Sequence, residues 1–144
     1  MAAADLIHDA VKNALIKDGW TITDDPYVIQ YEEVTLYADL GAERVIAAEL
    51  AGTKIVVEIK SFVSPSFIQD IKAALGQYGL YQSFLEVLEP ERKLYLAISQ
   101  KVYDRYFAQK AIQFIVQRYQ IPLIIVDVEK EEIVKWTKTP TIAS

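Results

Sequence analysis

Two charged residues in the middle of the sequence have the side-chain types and the spacing to act on a phosphate group. Glu58 and Lys60 stand two residues apart within residues 54–62, where apolar and polar side chains alternate. Alternation predicts a β-strand, in which residues two apart share a face at about 6–7 Å. A carboxylate can bind a hard metal ion, and an ammonium can stabilise developing negative charge. A solvated strand at a sheet edge would show the same alternation, and its exposed ion pair would contribute little to stability.

A further acid precedes this strand. Asp39 stands before Leu40 and Gly41, so we expect it to end a strand immediately before a turn, where functional residues gather. Without a motif, a turn residue that ends a strand explains Asp39 equally well. Glu43 and Glu49 are alternatives to Asp39 as the first acid of the site, the one that precedes Glu58 in the sequence.

Two polar residues follow on a predicted long helix. Gln77 and Tyr81 are four residues apart, which places them on the same helix face. Ordinary helix packing would account for both residues equally well. Gly76 and Gly79 lie within the same helix, where each costs about 1 kcal/mol relative to alanine. They predict a kink or a close approach of another element.

Hydrophobic periodicity predicts the elements that must position these residues. Helices are expected at 3–18, from the N-cap Ser66 to about residue 88, and at 101–119, the last in two pieces. Strands are expected at 20–29 (with a turn at 24–26), 34–40, 45–50, 54–60, 94–98, 123–128 and 131–136. A turn at 51–52 should join 45–50 and 54–60 into a hairpin, and 131–136 is expected at a sheet edge. A helix followed by a meander of strands opens an α+β fold. The tail from 137 is expected to be loose.

The composition restricts the class of protein. The 144 residues suit a single domain (1–144), and the 52% of hydrophobic residues can form a sizeable core. The absence of cysteine excludes disulfides and thiolate metal sites, and His8 as the only histidine argues against a histidine-based triad. We expect His8 to pack at the core edge. No apolar run approaches the roughly 18 residues of a membrane span, so we expect a soluble, cytoplasmic protein. The net charge of −5 disfavours a stand-alone nucleic-acid binder.

The order of these residues resembles the PD-(D/E)xK nuclease superfamily, with its restriction-endonuclease-like fold. Asp39, the Glu58-x-Lys60 motif and the Gln77-x-x-x-Tyr81 motif occur in the superfamily's order. Ala38 stands immediately before Asp39, where many members of the superfamily have a proline. The resemblance implies a three-layer fold with a central mixed β-sheet flanked by helices.

A second resemblance covers nearly the whole chain. Several separated blocks are similar to the XisH family of cyanobacterial fdxN-element excision controlling factors. The blocks are residues 8–20, 39–43, 57–62, 74–77 and 89–96. The resemblance implies a role in programmed DNA excision during heterocyst differentiation, together with a site-specific recombinase and a small XisI-type partner protein.

The nuclease resemblance also implies roles for the residues. Asp39 and Glu58 would bind Mg²⁺ or Mn²⁺ with the Ile59 carbonyl, and Lys60 would position water or neutralise charge. Gln77 would orient the lysine or the water, and Tyr81 would support the substrate side.

Three functions remain open. The first is a metal-dependent DNA endonuclease whose activity can depend on its partner. The second is a catalytically idle nuclease fold that serves as a recombination accessory. The third is a protein-binding module in which the acidic surface and the apolar segment 62–67 form an oligomer interface. DNA affinity that falls steeply with salt would separate the first two from the third.

Overall fold

The computed structural model describes residues 3–36, 44–138 and 140. The helices are α1 Ala3–Lys17, α2 Phe67–Leu88, α3 Gln100–Val102, which continues into a π-helical segment Tyr103–Phe107, and α4 Lys110–Arg118. The strands are β1 Thr21–Asp24, β2 Ile29–Tyr31, β3 Val34–Leu36, β4 Arg44–Leu50, β5 Thr53–Ile59, β6 Lys93–Ser99, β7 Leu123–Asp127 and β8 Glu132–Trp136.

Six of these strands form one mixed sheet in the order β1-β4-β5-β6-β7-β8. The pairs β5–β6 and β6–β7 are parallel, while the other three pairs are antiparallel. Strands β2 and β3 form a separate hairpin. The predicted α+β class, with a central mixed sheet flanked by helices, is confirmed.

The helices cover the two faces of the sheet unequally. The parallel connections β5–α2–β6 and β6–α4–β7 run in the same direction across the sheet, so right-handed crossovers place α2 and α4 on the same face. Ile71 and Ala74 of α2 accordingly share an apolar cluster with Ile112 of α4. Helix α1 covers the opposite face, where Val11 and Leu15 are fully buried.

Strand β5 lies near the centre of the sheet and not at its edge. It pairs with β4 on one side and with β6 on the other, so that Glu58 stands between Val45 and Leu96. Ile55, Val57 and Ile59 face α1, as the alternation predicts. The interpretation of this segment as an edge strand is therefore wrong, because hydrogen-bonded neighbours occupy both sides.

Helix α2 begins as the sequence predicts. The Ser66 side chain accepts a hydrogen bond from the Gln69 backbone N–H and caps the helix. The helix continues through Gly76 and Gly79 without interruption, and a Cβ atom at either glycine would have no neighbour within 4 Å. The predicted close approach is absent among the described residues.

The predicted first strand, 20–29, is divided into two. The expected turn is present, but β1 ends at Asp24 and the chain re-enters a strand at Ile29 in the separate hairpin. Pro26 has no backbone N–H to donate, which favours ending the ladder there. Of the predicted strand 34–40, the structure has Val34–Leu36, and the remainder lies outside the described residues.

The C-terminal half agrees closely with the prediction. The helical region 101–119 is in pieces, and strand β7 begins directly after Pro122. Strand β8 lies at the sheet edge, as expected. Most of the tail lies outside the described residues. Within the described ranges, no helix combines the length and the apolar character needed to cross a bilayer.

Candidate functional site

Strand β5 directs two ionisable side chains towards α2. Val56, Glu58 and Lys60 alternate with the residues that face α1, and Val56 packs in the apolar cluster on the α2 side. Glu58 is 1% exposed and Lys60 is 5% exposed. The interpretation of the two residues as a solvated pair is therefore wrong.

The lysine is held by the helix above it. Lys60 Nζ donates a hydrogen bond to Gln77 Oε1 at 3.0 Å. The Lys60 backbone N–H donates to the Ala97 carbonyl at 3.1 Å, which extends the β5–β6 pairing by one residue beyond the strand. The structure thus brings together Lys60 and Gln77, one of the two arrangements that the nuclease resemblance implies, with the main chain of Lys60 fixed to the sheet.

Tyr78 is a neighbour of this site that the sequence reading missed. Burial, and secondarily the negative charge of Glu58, raises the pKa of Tyr78 far above its usual value. Its hydroxyl points towards the Leu94 carbonyl, at 3.4 Å. Its position could have been predicted from the helical period. Tyr78 follows the buried residue Ala74 by four positions and precedes the buried residue Tyr81 by three, which places it on the face of α2 that packs on the sheet.

Tyr81 lies one turn beyond Gln77 on the same helix. It is 7% exposed and packs in a cluster with Ile29, Val56 and Leu85. This packing holds α2 and the β2–β3 hairpin against the sheet. Support of a substrate by Tyr81 stays a prediction.

The candidate first acids have different outcomes. Asp39 and Glu43 lie outside the described residues, as does any metal ligand set that includes them. Glu49 of β4 pairs with Lys54 of β5. Lys54 precedes Glu58 by four residues, so Glu49 is about 13 Å from Glu58 along the strand direction. That separation is too long for Glu49 and Glu58 to share an ion.

The described part of the site can supply only some of the ligands of a metal ion. Glu58 provides a carboxylate, the hard oxygen donor that Mg²⁺ prefers. Among residues 3–36, 44–138 and 140, no group of three or more His, Cys, Asp or Glu side chains could hold a metal ion. The chemistry of Glu58 thus suits a hard cation, but a second acid is needed, and Asp39 is the predicted one.

The chain turns sharply after the site. Phe62 has φ of 54°, in the left-handed region that a bulky residue rarely adopts. Its ring packs against Phe67 at 5.3 Å and Phe107 at 5.7 Å between centroids. Because Phe62 is directed into the core, it is not available for the oligomer interface that the apolar segment 62–67 suggested.

A cleft of about 520 Å³ opens beyond this turn, at the carboxyl ends of β5, β6 and β7. Leu6 and Ile7 of α1 line one side, and α3 lines the other. Ligands of α/β sheets commonly bind at this end of the strands. Glu58, Lys60 and Gln77 do not line the cleft, so the candidate site lies beside it, on the α2 face.

Fold and site together define a class of protein. The six-stranded mixed sheet with helices on both faces is consistent with a nuclease-like fold. A buried carboxylate near the end of a central strand is followed, two residues later, by a buried ammonium just beyond that strand. The model of the XisH protein family matches residues 1–134, and the chain belongs to the XisH family.

Two solved structures are similar over almost their whole length. The first is a fdxN element excision controlling factor protein from Anabaena variabilis, with 41% identity, a TM-score of 0.85, and coverage of 93% of this chain and 99% of that one. The second is an XisH family protein from Nostoc punctiforme PCC 73102, with 40% identity, a TM-score of 0.86, and coverage of 93% and 100%. A comparison with curated proteins found no match.

Proposed function

We propose that the protein is a metal-dependent DNA endonuclease that acts in programmed excision of a DNA element of the fdxN type. The excision role rests on family membership and on the name of the Anabaena variabilis relative. The chemistry rests on one observation, the burial of Glu58 on the central strand β5 and of Lys60 directly after it, with Lys60 held by Gln77.

The burial of these charges supports a chemical role because it is not an efficient way to stabilise the fold. Removing a carboxylate or an ammonium from water costs several kcal/mol per ion, and well-packed apolar residues are often as stable or more stable. Central strands elsewhere in this sheet carry apolar residues at equivalent depth, such as Leu96 and Ile125. Ionisable groups kept at such a position are candidates for function.

Each residue has a defined part in the proposed reaction. Asp39 and Glu58 would hold Mg²⁺ or Mn²⁺, which when bound supplies Lewis acidity and a water of lowered pKa. The Lys60 ammonium would neutralise charge that develops on the scissile phosphate. Gln77 would keep Lys60 in place, and Tyr81 would support the substrate side of α2. A site-specific recombinase and an XisI-type protein would be the partners in excision.

The test is cleavage of plasmid and branched DNA with Mg²⁺ or Mn²⁺, with and without an XisI-type partner. Glu58→Gln and Lys60→Ala are compared with matched controls on the same sheet face. Glu49→Gln makes the same change as Glu58→Gln about 13 Å away, and Lys54→Ala makes the same change as Lys60→Ala at the start of β5. Circular dichroism and thermal melting establish that each variant folds.

We expect metal-dependent cleavage that is lost in Glu58→Gln and Lys60→Ala and kept in both controls. Equal loss in the controls would indicate a general effect on folding, whereas cleavage that persists in Glu58→Gln and Lys60→Ala would indicate a contaminating nuclease. No cleavage under any condition, by a protein that still binds its partner, would overturn the endonuclease proposal.

A second candidate function is a catalytically idle nuclease fold that assists recombination. The net charge of −5 favours it, because an acidic protein gains little from the phosphate backbone unless a partner supplies positive charge. The idle fold predicts salt-sensitive DNA binding by the complex with its partner, without cleavage. Binding by a complex whose DNA remains intact in Mn²⁺ would select this function.

A further inference from the structure

The outer face of α2 is unusual for a surface helix. We define this face as the exposed residues of α2, namely Ile68, Gln69, Lys72, Ala73, Gly76, Gly79, Leu80, Ser83, Glu86, Val87 and Leu88. Ile68, Leu80 and Val87 are 54%, 52% and 63% exposed. The inner face is also apolar, so the helix is apolar around most of its circumference, which is typical of a helix that is covered on both sides.

The two glycines on this face have no explanation within the described chain. Each costs about 1 kcal/mol relative to alanine inside a helix. Both have helical neighbours, and a Cβ at Gly76 or Gly79 would meet nothing within 4 Å. The fold therefore does not require either glycine, whereas the approach of another backbone to this helix would.

The one hydroxyl on this face is already satisfied. Ser83 Oγ donates to the Gly79 carbonyl of the preceding turn at 2.8 Å. Covering Ser83 with an apolar surface would thus leave no unpaired hydroxyl donor, a loss that otherwise costs about 1–3 kcal/mol. The centre of the outer face therefore consists of small residues, and its hydroxyl group already has a hydrogen-bond partner.

The charges on the outer face are arranged symmetrically about its centre. Lys72 precedes Gly79 by seven residues and Glu86 follows it by seven, and these are the only charged residues on this face. A spacing of seven is close to two full turns, so the three residues form a line along the helix. Within one chain, Lys72 and Glu86 are about 21 Å apart and cannot pair.

We propose that the outer face of α2 is the interface of a homodimer, in which two α2 helices pack antiparallel with the two-fold axis beside Gly79. This arrangement brings Lys72 of each copy opposite Glu86 of the other, so that two Lys72–Glu86 pairs form across the interface. It also brings the glycines together where the backbones approach most closely, and it covers Leu80 and Val87. The proposal goes beyond the nuclease activity and does not depend on it.

The charge pairing has a direct test by reversal and rescue. Light scattering after gel filtration and sedimentation velocity measure the dimer over protein concentrations that reach the high micromolar range. Lys72→Glu places two acids opposite each other, and Glu86→Lys places two lysines opposite each other, so each should weaken the dimer by about tenfold or more. The double variant restores opposite charges and should recover the dimer, which can occur only across two copies because the positions are about 21 Å apart in one chain.

Two further variants separate the interface from effects on the monomer. Lys110→Glu makes the same charge change as Lys72→Glu on exposed α4 and should leave the dimer unchanged. Gly79→Leu fills open space in one chain, so the monomer should fold and melt at an equal or higher temperature while the dimer is lost.

The outcomes are distinct. A wild type that stays monomeric at every concentration overturns the proposal. A dimer that survives both Lys72→Glu and Gly79→Leu also overturns it, since the copies would then meet through another face. Rescue in the double variant, with Lys110→Glu unchanged, establishes the antiparallel arrangement.

Discussion

Lys60 and Gln77 join the central strand of the sheet to the helix that covers it, through a hydrogen bond of 3.0 Å between Nζ and Oε1. The ammonium belongs to the end of β5 and the amide to the middle of α2, so the contact depends on the packing of one element on the other. A lysine side chain has four rotatable bonds, and the hydrogen bond to Gln77 restricts where its charge can lie. Gln77 is therefore a positioning residue for the proposed reaction.

Gln77→Leu should lower kcat of the proposed cleavage by about 100-fold with little change in KM, because a displaced ammonium no longer meets the reacting phosphate. Gln77→Glu retains an acceptor and should recover much of the rate. Steady-state kinetics of plasmid nicking measure kcat and KM, and Gln113→Leu, at an exposed position of α4, is the control. An equal rate for Gln77→Leu and wild type would remove the positioning role.

Tyr95→Phe should raise the free energy of unfolding at pH 7 by about 1 kcal/mol, because the Tyr95 hydroxyl is buried with no hydrogen-bond partner among the described residues. The ring contact with Trp136, at 5.1 Å, is kept. Urea unfolding measures the change, and Tyr119→Phe, at an exposed hydroxyl, should have almost no effect. A clear loss of stability would mean that the hydroxyl has a partner in solution.

The same variant should also change the alkaline stability. Burial raises the pKa of Tyr95 from 10.0 to about 12. Between these values the unfolded chain loses the phenol proton and the folded chain keeps it, so stability falls as pH rises from 10 towards 12. Tyr95→Phe should make this fall shallower, while Tyr78 continues to contribute part of it. Parallel slopes for Tyr95→Phe and wild type would contradict the raised pKa.

Asp25→Asn should lower stability at neutral pH by about 2 kcal/mol. Lys12 Nζ donates to Asp25 Oδ2 at 2.8 Å, and His8 Nε2 lies 3.1 Å from Oδ1. Burial tends to raise the pKa of Asp25, but the Lys12 hydrogen bond and the His8 charge lower it overall. Because the pKa of Asp25 is lowered by folding, its negative charge stabilises the fold at pH values above the unfolded pKa of 3.8. This stabilisation is lost as the pH falls below 3.8, so the stabilities of the variant and the wild type should converge in acid.

Thermal melts from pH 3 to pH 7 measure this convergence, and Asp24→Asn, at an exposed neighbour, is the control. A stability difference that stays constant down to pH 3 would show that the negative charge of Asp25 is not the source of the effect. His8 itself packs at the edge of the core, as its place in the helix pattern predicts.

Phe62→Ala should cost about 3–5 kcal/mol, because it removes a buried ring that contacts Phe67 and Phe107. The same ring packing holds the backbone of Phe62 at positive φ, two residues after Lys60, so cleavage should fall as well. Phe114→Ala, at a ring that is 65% exposed, should change stability by less than about 0.5 kcal/mol. A small cost at Phe62 would mean that the turn is held by other contacts.

Local patterns predicted most of the elements correctly. Periodicity and capping located α1, the β4–β5 hairpin and α2 with Ser66 as its cap, because these depend on residues near each other in the chain. The separate β2–β3 hairpin was missed, since its position depends on packing against α2, where Tyr31 stacks on Phe84 at 5.3 Å. No local pattern carries that information.

The site was predicted in identity but not in environment. Alternation identified Glu58 and Lys60 and their common face, but it could not distinguish a central strand from an edge strand. That distinction depends on β6, which returns to pair with β5 only after the whole of α2. Tyr78 was missed for a related reason. Its proximity to Glu58 depends on which face of α2 packs on the sheet, and the sequence does not show which strand that face covers. Asp39 remains a prediction.

The central position of β5 also has a consequence for how the sheet assembles. A slip of β5 by one residue would rotate every side chain of the strand to the opposite face. Glu58 would then enter the cluster around Val11 and Leu15, while Ile59 would leave it. An unpaired charge buried there costs several kcal/mol, so the misaligned pairing would be much less stable than the native one. The two residues proposed for cleavage would thus also select the correct strand alignment during folding.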